Sequence, residues 1–181
     1  MLMKIVTSKN QYGFLLATCL FIFQSTLQAQ KPSFREKYQP LADSLATVYK
    51  IPSAVILGVA IIESGNGTSR NSRLLRNYFG IKGKNNLLKT KGIRSSYKQY
   101  KSDTASFVDF CKLVERKKFY PTLAGNPDYK PWILALSKTG YSEVPETWRK
   151  LITGAIQKNG LDRGVEKKSL QLPSEASNGD H

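Results

Sequence analysis

Glu63 has a carboxyl group that could act in acid–base chemistry, and its neighbours in the sequence would shift the pKa of that group. It follows an apolar run from Val55 to Ile62, and Gly65 and Gly67 come directly after it. A helix that is apolar on every side must be buried, and the glycines suit the left-handed backbone that ends helices and lets a ligand approach closely. The negative end of the helix dipole and the apolar core would both raise the pKa of Glu63, as a general acid requires. The alternative is an exposed residue at a helix end with no chemical role.

Side chains needed by several other catalytic mechanisms are missing from the sequence. The single histidine is His181, the last residue. A Ser-His-Asp triad, a Cys-His pair and a histidine-based zinc site are therefore not expected. The glycine-rich phosphate loop with its lysine is also missing. The remaining carboxylate and tyrosine chemistry points to cleavage of glycosidic bonds, with no metal or other cofactor implied.

Two separated motifs resemble one family of enzymes. IIESGNG (61–67) and NYFGIKG (77–83) are similar to the glucosaminidase domain of flagellar rod-type and autolysin peptidoglycan hydrolases. The resemblance covers roughly residues 33–162 and continues through three further segments, 97–102, 128–132 and 139–148. It implies an all-α, small lysozyme-like domain and an endo-β-N-acetylglucosaminidase that cleaves peptidoglycan glycan strands after N-acetylglucosamine. Glu63 would be its general acid.

The resemblance also implies two further catalytic positions. Tyr141 lies in a G-Y-x-x-x-P pattern at 140–145, where the family has a tyrosine, and we expect it to orient or polarise the substrate. Asp109 aligns with an acidic position of the family. Helical spacing places Asp109 opposite the apolar stripe of Phe107 and Phe110, so a solvated surface acid is its alternative reading.

Four residues are expected to bind the substrate. The resemblance places Asn77, Tyr78 and Phe79 in the groove wall, where aromatic faces can stack on sugar rings and amides can bind hydroxyl or N-acetyl groups. Phe79 could equally belong to the core. Gly65 would let the glycan approach the backbone closely.

A second carboxyl group is harder to find. Glycosidases usually use two, but no acid occurs from Ser64 to Ser102. The N-acetyl group of the substrate can act as the internal nucleophile, and we favour this explanation. Alternatively, Asp109 or Glu143 enters the cleft, or the protein has lost its activity and only binds glycan.

The N-terminus has the features of a secretory signal peptide. Lys4 and Lys9 precede an apolar or small run of eleven residues, Gly13–Phe23, and the segment ending at Ala29 resembles a cleavage site. Eleven residues are too few to span a bilayer, which needs about 20. We therefore expect residues 1–29 to be removed during export across the inner membrane. The mature protein would be periplasmic or extracellular, without a stable membrane span.

The positive charge is concentrated in one part of the chain. The formal net charge is +15, and ten Lys or Arg but no acid lie between Glu63 and Asp103. Such a surface can attract nucleic acid, anionic membrane or an acidic polymer. An exported protein meets the cell wall first, so we expect peptidoglycan as partner, with envelope-machinery proteins as further candidates and no nucleic acid. A solvated basic surface without a partner is the alternative.

The sequence predicts one domain over residues 30–162, followed by a polar, disordered tail over 163–181. Helical spacing predicts a buried helix ending at Glu63 and five further helices, at 33–49, 69–77, 103–115, 128–136 and 145–158. Residues 82–101 lack this periodicity and are predicted to form a loop or short β-hairpin beside the cleft.

The helical patterns also predict which individual residues are buried and which residue caps a helix. Val48 and Leu151 fall on the inward-facing stripes of the first and last helix, and Asp103 is a plausible N-cap. Trp132 and Trp148 are expected in the core. Cys111 also falls on an apolar stripe and is predicted to be a buried thiol without a disulfide partner.

Two other function classes compete with the glucosaminidase. A lytic transglycosylase also relies on one glutamate in a similar helical fold, but it leaves an anhydro sugar in place of a reducing end. A catalytically weak glycan-binding or scaffolding protein would explain the missing second carboxylate, although the full motif around Glu63 argues against it. A basic nucleic-acid binder is the third alternative.

Overall fold

The computed structural model describes residues 30–163, and its compact helical unit begins at Ser33. The predicted signal peptide and nearly all of the predicted tail lie outside the described residues. Within those residues the chain forms eight helices: α1 (Phe34–Tyr49), α2 (Ser53–Ser64), α3 (Arg70–Leu75), α4 (Leu87–Lys91), α5 (Asp103–Glu115), α6 (Tyr120–Leu123), α7 (Tyr129–Ser137) and α8 (Pro145–Lys158). The predicted all-α fold is confirmed.

Helix α2 is the centre of the domain. Every residue from Ala54 to Ile61 is buried, as the apolar run predicts. Helices α1, α5, α7 and α8 all pack against it. At Gly58 a β-carbon would lie only 2.6 Å from Cγ1 of Ile156, so the glycine allows α2 and α8 to approach closely. This packing holds the C-terminal end of α2, and with it Glu63, in a fixed position.

Helix α1 begins with a capping box. Ser33 accepts a hydrogen bond from the Glu36 backbone N–H, and the Glu36 carboxylate accepts one from the Ser33 N–H. The helix continues through the exposed Pro40. Val48 is 66% exposed, contrary to the predicted stripe, because the helix buries a narrower face there.

Helix α5 has the predicted buried stripe, including Phe107, Phe110 and the free thiol of Cys111. The predicted cap is wrong by one residue. The Ser102 side chain, and not Asp103, accepts a hydrogen bond from the Ala105 N–H.

Residues 81–99 form a small lobe beside the helices. Lys82 and Tyr97 make an antiparallel bridge, the single β-bridge in the described part of the chain. It is flanked by hydrogen bonds from the Gly83 N–H to the Ser96 carbonyl (2.9 Å) and from the Lys98 N–H to the Ile81 carbonyl (2.8 Å). Helix α4 lies between the two short segments. The lobe therefore resembles the predicted hairpin, with one short helix inserted at its tip.

Helix α8 has the predicted bounds, and Trp148 and Ile152 on it are buried. Leu151 is 52% exposed and does not lie on the inner face as predicted, because it falls at the edge of a buried face that is narrower than the predicted stripe. Between residues 30 and 163, no helix is long and apolar enough to cross a membrane.

Candidate active site

Glu63 lies in the last turn of α2, where the chain leaves the core. Gly65 caps this end at φ 55°, and its N–H bonds the carbonyls of Ile61 and Ile62. The half-buried Glu63 side chain faces a cleft of about 550 Å³. The cleft is formed by α2, the lobe, α5 and the loop before α8, and its other lining residues are Phe79, Gly80, Ile81, Lys82, Tyr97, Leu113, Lys117, Thr139, Gly140, Tyr141 and Glu143.

Burial raises the pKa of Glu63 above its ordinary value. This effect outweighs a hydrogen bond from Trp148, which acts in the opposite direction. The indole Nε1–H of Trp148 donates to Glu63 Oε1 at 2.7 Å. Glu63 is therefore poised to hold a proton at a higher pH than an exposed glutamate would.

The sequence predicts Trp148 as a core residue and gives no indication of its hydrogen bond to Glu63. The indole ring is indeed buried, with 5% of its surface exposed. A buried indole N–H normally has a hydrogen-bond acceptor, so a tryptophan predicted in the core implies that an acceptor lies nearby. The acceptor could not be named from the sequence because 85 positions separate the two residues.

The two carboxylate oxygens of Glu63 have different neighbours, Trp148 at Oε1 and Gly80 at Oε2. Its φ of +64° favours glycine, and a β-carbon there would lie 3.3 Å from Glu63 Oε2. Oε1 is occupied by the Trp148 N–H, and a neutral carboxyl accepts through its unprotonated oxygen. The proton of the acid form is therefore carried by Oε2, which borders Gly80 in the wall of the cleft.

Tyr141 lies in the same cleft as Glu63. Its hydroxyl donates to the Phe79 carbonyl at 2.6 Å. Burial, followed by the nearby charge of Glu63, raises the pKa of Tyr141 well above its ordinary value. The phenol is therefore neutral across the physiological range, with its hydrogen committed to the backbone and its oxygen still able to accept.

The side chains of Asn77 and Phe79 are buried inside the protein. The Asn77 amide donates to the carbonyls of Ile81 and Lys98 at 2.8 and 2.9 Å, and its oxygen accepts from the Phe79 and Ile81 N–H groups. The Phe79 ring stacks on Phe110, with centroids 4.2 Å apart. These two residues shape the cleft by holding its backbone, and their side chains do not present the sugar-binding faces that the sequence suggested.

Tyr78 and Gly65 are not among the residues that line the cleft. The Tyr78 and Tyr38 hydroxyls are 2.7 Å apart, and Tyr38 donates to Asp103 at 2.6 Å. Tyr78 is thus part of a mostly buried network between α1 and α5. Gly65 is exposed, and its carbonyl accepts from the Thr68 hydroxyl at 2.6 Å.

Asp109 is also separate from the cleft lining. Its carboxylate accepts from Lys98 Nζ and from the Tyr100 hydroxyl, both at 2.7 Å. Burial alone would raise the pKa of Asp109, but these hydrogen bonds outweigh it and the pKa is lowered. The acid that does line the cleft with Glu63 is Glu143. In the described part of the chain, no cluster of His, Cys, Asp and Glu could hold a metal ion.

The sequence of this chain matches one protein family and is similar to a known enzyme. The glucosaminidase family model, described as mannosyl-glycoprotein endo-β-N-acetylglucosaminidase, matches residues 39–161. Exo-glucosaminidase LytG of Bacillus subtilis (strain 168) is 31% identical over 140 residues, which are 67% of this chain and 49% of LytG. This chain therefore spans about half the length of that curated relative.

Solved structures give the same fold. The catalytic domain of the autolysin Auto from Listeria monocytogenes superposes with a TM-score of 0.59 at 21% identity, over 88% of this chain and 99% of that one. The C-terminally truncated glycoside hydrolase domain of FlgJ from Salmonella typhimurium gives 0.56 at 21% identity, over 70% and 95%. With a family model that covers most of the described residues and a relative above 30% identity, the chain belongs to the glucosaminidase family.

Proposed function

We propose that this protein is an exported peptidoglycan hydrolase, an endo-β-N-acetylglucosaminidase that cleaves the glycan strand after N-acetylglucosamine. The observation that carries this proposal is the Glu63 carboxyl, which borders the cleft with a raised pKa and with one oxygen held by Trp148. Membership of the glucosaminidase family supports the choice of substrate and bond.

Glu63 acts as the general acid in this mechanism. Its Oε2–H protonates the glycosidic oxygen as the bond to the anomeric carbon breaks, and the leaving sugar departs with that proton. The carbonyl oxygen of the substrate's N-acetyl group forms a bond to the anomeric carbon. Water then opens the resulting ring, and the Glu63 carboxylate takes the proton of the water.

The position of Asp109 supports substrate assistance. Asp109 is paired with Lys98 and lies outside the cleft lining, so it is poorly placed to act as a nucleophile or base. Tyr141 has no charge to offer, and we assign it the role of shaping the cleft wall and accepting a hydrogen bond from the substrate. Asn77, Tyr78 and Phe79 would then contribute through the framework of the site.

Glu143 is the competing second carboxyl group, because its exposed side chain lines the cleft with Glu63. A Glu143→Gln variant separates the two mechanisms. Under substrate assistance we expect kcat to fall by less than about tenfold. A loss as large as that of Glu63→Gln would assign Glu143 as the base or nucleophile.

Export and location follow from the N-terminal sequence, which lies outside the described residues. We propose cleavage after Ala29 and action on the wall from the periplasm or the cell exterior. Cell fractionation with N-terminal sequencing of the mature protein tests this. A protein retained in the cytoplasm with its first residues intact would contradict it.

The decisive experiment is digestion of purified peptidoglycan by the protein and by Glu63→Gln, with product ends identified by mass spectrometry. New reducing ends on N-acetylglucosamine that disappear in the variant are the expected result, and the product lengths separate internal from terminal cleavage. Anhydromuramyl ends would show a lytic transglycosylase. Binding without any product from either protein would show a glycan-binding protein.

A further inference from the structure

A second groove lies on the lobe, next to the candidate active cleft. It has a volume of about 700 Å³ and is formed by residues 83–85, 88 and 94–96, and we refer to it as the lobe groove. Lys82 and Tyr97, which pair across the lobe, line the active cleft. Gly83 and Ser96, one step further along each segment, line the lobe groove. The residues that line the cleft and those that line the lobe groove are therefore consecutive along both segments.

Within residues 30–163, no carboxylate forms a salt bridge with the positive charges of the lobe groove. Lys84 and Arg94 line it and are exposed. Of the ten basic residues between Glu63 and Asp103, Lys98 alone makes a salt bridge within the described residues. Lys84 and Arg94 are therefore available to an external anion.

The floor of the lobe groove is held in place before any ligand arrives. The Asn85 amide donates to the carbonyls of Ser95 and Tyr97, at 2.8 and 2.9 Å. Its oxygen accepts from the Leu87 N–H at 3.0 Å. These three bonds fix the two segments that carry Lys84 and Arg94, so little ordering is needed on binding.

An apolar side chain completes the lobe groove. Leu88 is 55% exposed and belongs to the lining. Two cations beside an exposed leucine suit a ligand with carboxylates and small alkyl groups. A bare phosphodiester chain would use the cations and leave Leu88 without a partner.

We propose that the lobe groove binds the carboxylate-bearing peptide stems of peptidoglycan. The proposal rests on the proposed function, because a glycan strand must lie in the cleft for its stems to reach the lobe. Peptide stems hang from alternate sugars of the strand and carry free carboxylates together with alanine methyl groups. Lys84 and Arg94 would pair with the carboxylates while Leu88 contacts the alkyl groups. The protein would therefore prefer strands that still carry their stems.

Binding can be measured without cleavage in a Glu63→Gln background. The probes are soluble glycan fragments that carry peptide stems, and the same fragments after enzymatic removal of the stems. The test variant is Lys84→Gln/Arg94→Gln. The matched control is Lys89→Gln/Lys91→Gln, which removes the same charge from exposed positions of α4 outside the lobe groove.

The test variant should weaken binding of the stem-bearing fragment roughly three- to tenfold, since two ion pairs at exposed positions are lost and each is weak. The control should change it by less than about twofold. The stem-free fragment should bind more weakly to the unsubstituted groove and be insensitive to both variants. Amide NMR shifts from the stem-bearing fragment should cluster in residues 83–96.

Several results would overturn the proposal. An equal loss in the control would mean that diffuse charge, and not the lobe groove, is responsible. An equal loss for the stem-free fragment would mean that Lys84 and Arg94 contact sugars. Groove-dependent binding to anionic lipid vesicles or single-stranded DNA, with no dependence for the stems, would assign another anion. Failure of the proposed function looks different, because the unmutated protein would then leave peptidoglycan uncleaved whatever the stem-binding result.

Discussion

Replacing Trp148 with phenylalanine tests how Glu63 is tuned. The substitution removes the Nε1–H donor that lies 2.7 Å from Glu63 Oε1 and keeps an aromatic ring in the core. This hydrogen bond lowers the pKa of Glu63, so its loss raises that pKa further. Glu63 must be protonated to act as an acid. The high-pH limb of kcat/KM, where Glu63 loses its proton, should therefore move to higher pH.

The size of the effect follows from the geometry. A hydrogen bond to a charged group contributes about 1.5–3 kcal/mol, and one pH unit corresponds to about 1.4 kcal/mol. Glu63 is only half-buried, so water can replace part of the lost bond, and we expect the limb to move by roughly one pH unit. The carboxyl also loses the contact that orients it, and plateau kcat should fall on the order of tenfold.

Trp132→Phe is the matched control for this substitution. Trp132 is fully buried, and its Nε1–H donates to the Asn126 carbonyl at 3.0 Å, outside the cleft. Both variants lose one buried donor and a similar volume, so both should unfold at lower temperature. Only Trp148→Phe should change the pH profile. The reasoning is refuted if both variants show the same limb as the unmutated protein, since Trp148 would then be a core residue and nothing more.

Three further substitutions probe Glu63, its neighbour Gly80 and the ion pair of Asp109. Glu63→Gln should raise the free energy of unfolding at pH 7 by about 1 kcal/mol, because burial disfavours the ionised form of Glu63 and raises its pKa. The gain should shrink towards pH 4, where Glu63 becomes protonated. An equal gain at both pH values would contradict this. Gly80→Ala should lower the free energy of unfolding by about 1–2 kcal/mol, because a side chain is strained at φ +64°, and it should also lower kcat. Gly125→Ala is the control, because it has a similar φ of +84° with open space around it, and it should lower thermal stability alone. Asp109→Asn should lower stability at pH 7 by up to about 1 kcal/mol through the pair with Lys98, and the difference should vanish as pH falls through the lowered pKa of Asp109. A loss of peptidoglycan cleavage in Asp109→Asn as deep as that in Glu63→Gln would restore Asp109 as a catalytic candidate.

The helices were largely predictable because their signals are local. The apolar run before Glu63 requires a buried helix, and the glycines after it require an end. Pro145 and Gly160 bracket α8 in the same way. The errors at Val48 and Leu151 arise because periodicity gives the direction of a helix face and not its width.

Part of the candidate site could be selected from the sequence, for a related reason. Glu63 and Tyr141 could be selected because each sits in a short motif, and the structure brings both into one cleft. Asn77 and Phe79 sit in a motif as well, but a motif does not state which way a side chain points. Their inward orientation follows from backbone donors and acceptors that must be satisfied once the loop closes.

The sequence by itself indicated the family, the helical architecture and the candidate acid, because motifs and periodicity act over a few residues. Tertiary structure alone decided the partners of those residues. Trp148 reaches Glu63 across 85 positions, and Tyr141 reaches the Phe79 carbonyl across 62. Such pairs depend on how α2, α8 and the lobe pack together. Contacts between distant segments leave no periodic trace, and so the hydrogen bond from Trp148 to Glu63 could be seen only in the folded chain.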